Sequence, residues 1–203
     1  MSKLNEMYSR VPGLVLGFHG CRKEVYEKVL YSDQPLTPST NKYDWLGNGI
    51  YFWENSYERA LEWANTRYGP GEGSVIGAVI SLGRCLDLTD YASVPILKEG
   101  YSMLLQLMTS AGKEMPQNKH GRSKTDLLLR NLDCAVIEQI HAFYRENDLP
   151  TYDSVRGIFT EGEETYKGAA FQEKTHAQLC IVNPNCIKGY FKALNPVPNY
   201  PIP

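Results

Sequence analysis

The stretch WLGNGIYFWENSYERALEWA, residues 45–64, decides how this chain is read. Gly47 and Gly49 make a turn, Tyr51, Phe52 and Trp53 follow without a break, and an amphipathic segment begins at once. Successive side chains of an extended strand point to opposite faces, so Tyr51 and Trp53 share one side and Phe52 takes the other. GIYFW is a short aromatic strand. Asn55 with Glu58 three residues on has the spacing of a capping box, and Ala60, Leu61, Ala64 and Tyr68 recur near helical intervals behind it. Phe52 anchors the strand. Tyr51 has two readings: it fills core, or it offers a flat face to a ligand ring.

Working outward, GLVLGFHGC (13–21) alternates, with Leu14, Leu16 and Phe18 on one face and Val15, Gly17 and His19 on the other. SVIGAVISLG (74–83) is rich in Val and Ile and suits a central strand. SVRGIF (154–159), THAQLCIV (175–182) and CIKGYF (186–191) are further strands, the last two joined by the turn NPN. Helices are expected over 23–31, from Asn55 to Tyr68, from Pro95 through Leu104, Leu105 and Met108, and over a long segment beginning KTDLLL, capped by Ser123 with Asp126. The polar segment 116–124 reads as a mobile loop. The order predicts an α+β fold, one domain over 1–203, with a helical insertion at about 90–150.

Composition narrows the function classes. The chain has 203 residues, a net charge of −2 and 42% hydrophobic residues, the profile of an ordinary globule. A phosphate-coating protein needs a basic surface, which this chain lacks, though a local patch on nucleic acid is still open. Five cysteines without a CxxC pair read as reduced thiols, and the polar start MSKLNEMYSR has no apolar core of a signal peptide, so a cytoplasmic location is expected. No apolar run approaches the roughly 20 residues of a membrane span. Scattered His and Cys predict no metal site, and no phosphate-binding P-loop is present.

FHGC followed by GNGIYF and a helix of the type SYERALEWA resembles the ADP-ribosyltransferase fold, in the diphtheria-toxin and poly(ADP-ribose) polymerase branch. That branch carries an H-G pair on its first strand, a G-x-G-x-Y-F segment on its second and a catalytic glutamate on a late strand. The run from Asp153 to Phe191 also resembles a group of uncharacterised bacterial proteins. The resemblance implies split sheets around a cleft in which NAD lies bent. It implies that His19 bonds the adenosine ribose, Gly20 holds the nicotinamide carboxamide through its backbone, and Tyr51 stacks on the nicotinamide. Gln178 falls where the family has its glutamate. Glutamine can accept a hydrogen bond from a ribose hydroxyl, but it brings no charge to an oxocarbenium-like state, a deficit of a few kcal/mol at most.

A carboxylate from the segment TEGEETYKGAAFQEK (160–174) is one remedy, since the equivalent loop faces the acceptor in related transferases. Among Glu161, Glu163, Glu164 and Glu173, the mid-loop pair Glu163 and Glu164 is the expected base. Tyr166 and Phe171 either contact an acceptor or staple the loop down. Ser56, at the helix start, is placed in the cleft. Arg156 is placed on a pyrophosphate, with a structural ion pair as its other reading. Arg59 stands where the family often has a small hydroxyl. His141 is expected in the core and His120 at the surface. The expected function is NAD-dependent transfer of ADP-ribose to a protein or nucleic-acid acceptor, with a toxin-like role and an antitoxin or other regulatory partner in view. The alternatives are a catalytically silent NAD- or ADP-ribose-binding module and, further off, an RNA 2′-phosphotransferase.

Overall fold

Period-2 segments rich in Val, Ile and aromatics meet in one seven-stranded mixed sheet, flanked by four α-helices. This computed structural model describes residues 13–121 and 126–202. The strands are β1 (Val15–Arg22), β2 (Ile50–Glu54), β3 (Gly73–Ile80), β4 (Cys85–Asp87), β7 (Ser154–Phe159), β8 (His176–Ile181) and β9 (Ile187–Phe191), in the spatial order β4-β7-β8-β2-β1-β3-β9. All neighbours are antiparallel except β4 with β7. A separate two-stranded ribbon pairs β5 (Asn118–Lys119) with β6 (Leu129–Arg130). The helices are α1 (Lys23–Tyr31), α2 (Tyr57–Tyr68), α3 (Ser93–Ser110) and α4 (Asn131–Glu146).

Register assigns the faces. Phe52 pairs with Leu179 and Ile50 with Ile181, on the face that also carries Ile76, Ala78 and Ile80. Helix α1 covers that face, and Phe52 is fully buried there, worth about 2–3 kcal/mol as apolar transfer alone. On the opposite face Trp53, Ala60 and Val75 form a cluster under α2. Farther along the same face Val155, Cys180 and Leu86 pack against Ile137 and Ile140 of α4 and Leu104 of α3. Cys180, on the face opposite Leu179 and Ile181, is therefore as buried as they are.

Several boundaries differ from expectation for identifiable reasons. Asn55 takes a left-handed φ of 52° and gives its N–H to Leu16 O, so it closes the β1–β2 ladder rather than capping a helix. Ser56 occupies the N-cap position of α2. The long helix starts at Asn131. Its first N–H groups are capped from outside, Asn118 Oδ1 accepting from Leu132 N (2.9 Å) and Asp133 N (3.3 Å). Residues 126–128 precede that helix, Ser123 lies outside the described residues, and the segment read as a mobile loop contributes β5. The helix expected from Pro95 begins two residues earlier, at Ser93.

Candidate functional site

The three strands that carry His19, Tyr51 and Gln178 are neighbours: β1, β2 and β8. The β1–β2 ladder holds only two pairs, Gly17 with Glu54 and Phe18 with Trp53. Beyond Phe18, β1 continues along β3 to Arg22, while β2 continues along β8 back to Ile50. The sheet thus divides between β1 and β2, with His19 and Gly20 on one lip of the gap and Ile50 and Tyr51 on the other.

His19 bridges the gap. Its Nδ1 lies 2.8 Å from Tyr51 O, and a carbonyl only accepts, so Nδ1 carries the proton. Burial lowers the imidazole pKa below its usual 6.5 more than that bond raises it, so the ring is neutral near pH 7. Nε2 is then a bare lone pair, and it makes no hydrogen bond among the described residues. Gly20 faces α2. A Cβ there would collide with Ala60 O and press to 3.2 Å on Trp63 Cε3, so glycine is required for the helix to reach the strand.

Tyr51 is held by the turn that precedes its strand. Its hydroxyl donates to Gly47 O (2.6 Å) and accepts from Leu46 N (2.8 Å), locking the turn where Gly47 needs φ of 82°. Glu138 of α4 takes the next N–H, from Asn48, at 2.8 Å. Burial pushes the Tyr51 phenol well above its ordinary pKa, so it stays a donor. Its hydroxyl is committed to the turn.

Gln178 pairs with Trp53 on one side and with Gly157 on the other. Its amide is half-buried and makes no hydrogen bond among the described residues. Above this row lies Arg59, the residue at the small-hydroxyl position. Its guanidinium sits 5.7 Å from the Trp53 ring centre and bonds Glu62 (2.6 Å) and Glu161 (2.7 Å). Lys174 closes the set on Glu62 at 2.9 Å. Both ends of the 160–174 loop are thus tied to α2.

The loop's geometry reassigns its acids. Glu163 and Glu164 are exposed, and the Glu164 carboxylate accepts from Gly168 N at 2.7 Å within the loop. Glu161, whose side chain is 17% exposed, is the acid directed at the strand face. Tyr166 and Phe171 are 62% and 71% exposed, so they do not staple the loop. Arg156 is held by Glu54 (2.6 Å) and Asp87 (3.2 Å) with Thr89 at 3.1 Å, which fulfils its structural reading and leaves little of it for a pyrophosphate. Ser56 stands at the start of α2 without a side-chain cap bond. His141 is buried and His120 exposed, as expected.

Sequence reasoning passed over Trp53 and His176. Both are nearly buried, with ring centres 6.2 Å apart, and His176 also stacks on Trp45 at 6.2 Å. The signal was present in the alternation that puts His176 two residues before Gln178 on the same face. Two hollows, of about 380 Å³ between α3 and α4 and about 510 Å³ along the tail around Leu194, Val197 and Tyr200, lie away from the β1–β2 gap. Among the described residues no helix is long and apolar enough to cross a membrane.

Comparison with known proteins adds one relative. An uncharacterised protein of the archaeon Methanocaldococcus jannaschii is 25% identical over 195 residues, covering 84% of this chain and 83% of that protein. No protein-family model matches the chain, and no solved structure matches it significantly.

Proposed function

We propose that this chain is an NAD-dependent ADP-ribosyltransferase-like protein that binds the dinucleotide at the divide between β1 and β2. The observation that carries the reading is the adjacency of three strands bearing His19, Tyr51 and Gln178, together with a β1–β2 ladder that ends at Phe18, one residue before His19. The neutral His19 ring, on the sheet face of Ile76 and Phe52, keeps Nε2 as an acceptor suited to a ribose hydroxyl. Gly20 lines the same lip with backbone. Gln178 presents a free amide two strands away, able to orient a second ribose. Glu161 is the loop carboxylate placed to compensate for the missing charge at position 178, once Arg59 releases it. The transfer breaks the nicotinamide–ribose bond and passes ADP-ribose to a macromolecular acceptor.

A second reading has its own support. Tyr51 is committed to a turn, Trp53 and Arg59 fill the strand face beside Gln178, and Glu161 is neutralised. These favour a silent module that binds NAD or ADP-ribose and acts through a partner. Nicotinamide release from NAD, measured with cell lysate as acceptor source, separates the two. Transfer predicts release that falls at least about a hundredfold in His19→Ala, the scale of removing one preorganised group. Gln178→Glu then raises turnover, tenfold for each 1.4 kcal/mol contributed by the added charge. NAD binding without release supports the silent module, and neither binding nor release refutes both.

A further inference from the structure

Among the described residues seven buried side-chain N or O atoms have no hydrogen-bond partner, and three of them belong to one neighbourhood: Trp53 Nε1, Arg59 Nε and His176 Nε2. Trp53 is 5% exposed and His176 7%. A buried polar group left unpaired costs about 1–3 kcal/mol, so a group of them in one place calls for an occupant. Their chemistry is specific. The indole N–H and the guanidinium Nε–H only donate. His176 gives its Nδ1 proton to Lys174 O (2.7 Å), so in the neutral ring Nε2 only accepts. Trp53 and His176 therefore offer one donor and one acceptor on rings 6.2 Å apart. The rings of Trp45 and Phe159 wall the same spot, at 6.2 and 6.1 Å from His176.

We propose that Trp53, His176 and Arg59 form a subsite for the edge of an amide or imide, a C=O beside an N–H, carried on a flat ring. The carbonyl accepts from Trp53 Nε1 and from Arg59 Nε, while the N–H donates to His176 Nε2. Two ligands share that edge: nicotinamide and a pyrimidine nucleoside such as uridine. Entry runs past the Lys174 end of the loop. Lys174 and Glu62 are 38% and 41% exposed, so that ion pair is the weaker tie, and it lies two residues from His176. Trp53 neighbours Gln178 by strand pairing, so a ligand here sits beside the proposed dinucleotide site. The subsite stands on its own geometry and holds whether or not NAD is turned over.

The test reads the indole N–H signals of the three tryptophans by NMR in the full chain, the Trp53 signal being assigned by its loss in Trp53→Phe. Nicotinamide and uridine are titrated separately, with N3-methyluridine, which lacks the N–H, as control. The proposal expects the Trp53 signal to shift most with nicotinamide, with uridine or with both, and about tenfold weaker binding in His176→Phe. A shift with nicotinamide only assigns the edge to NAD; a shift with uridine only assigns it to a nucleoside. No shift with either ligand leaves the three atoms to buried water and overturns the proposal. An equal shift with N3-methyluridine, or full affinity in a folded His176→Phe protein, overturns it too. Nicotinamide release is not part of the readout, so failure here is distinct from failure of the transferase reading.

Discussion

Glu161→Ala is the perturbation the structure prices best. The Arg59–Glu161 pair joins side chains that are 11% and 17% exposed, at 2.7 Å. An exposed ion pair contributes about 0–1 kcal/mol, and a hydrogen bond to a charged group about 1.5–3. This pair lies toward the second range, but Glu62 still neutralises the guanidinium at 2.6 Å, so the penalty of a bare buried charge is avoided. The expected loss is about 2 kcal/mol, or a drop of about 4–8 °C in Tm for a chain of this size. Glu161→Gln keeps an acceptor oxygen and loses less than half as much. The backbone bonds Lys174 N to Glu161 O (2.9 Å) and Glu173 N to Glu163 O (3.0 Å) close the loop, so their amide exchange accelerates in Glu161→Ala while that of β7 and β8 shifts only with global stability. A urea-denaturation cycle with Arg59→Met, which keeps the packed stem, isolates the coupling. A Glu161→Ala protein within 0.5 kcal/mol of wild type, with unchanged loop exchange, refutes the view that this pair anchors the loop.

Other outcomes follow from single contacts. Gly20→Ala forces α2 away from β1, because the new Cβ meets the Ala60 carbonyl, and lowers stability by about 1–3 kcal/mol in denaturant melts. His141 is buried with neither ring nitrogen bonded, so His141→Leu raises stability by about 1 kcal/mol; a loss would show that the imidazole has a partner in solution. Burial lowers the pKa of His19, His141 and His176 below the usual 6.5. The unfolded chain then takes up protons that the folded chain refuses, so stability is full above about pH 6.5 and falls below it, by at most about 1.4 kcal/mol per pH unit for each histidine. Melts that gain stability from pH 7 to pH 5.5 would contradict this.

Much of the sheet was written in side-chain alternation. β1, β2, β3, β7, β8 and β9 carry enough apolar residues at period 2 to be read directly, and α1 coincides with its expected span. β4 was not legible, because Cys85, Leu86 and Asp87 are too few for a pattern and pair only because β7 lies alongside. The start of α4 was misread because its cap is Asn118, thirteen residues upstream of Asn131, while a local Ser-x-x-Asp signal suggested an earlier start. At the candidate site the two glycine motifs placed His19 and Tyr51 on neighbouring strands correctly. The pairing of Arg59 with Glu161 spans 102 positions and has no local trace, so the buried loop acid could not be told from its exposed neighbours Glu163 and Glu164.

The most direct test looks at one nitrogen. The Nε2 resonance of His19, observed in a long-range 1H–15N spectrum, reports whether its lone pair gains a donor when NAD is added. A ribose hydroxyl bound in the β1–β2 gap shifts Nε2 and leaves Nδ1, fixed on the Tyr51 carbonyl, nearly unmoved. An Nε2 signal that stays in place at millimolar NAD, with no heat of binding by calorimetry, would mean that this gap does not hold the dinucleotide.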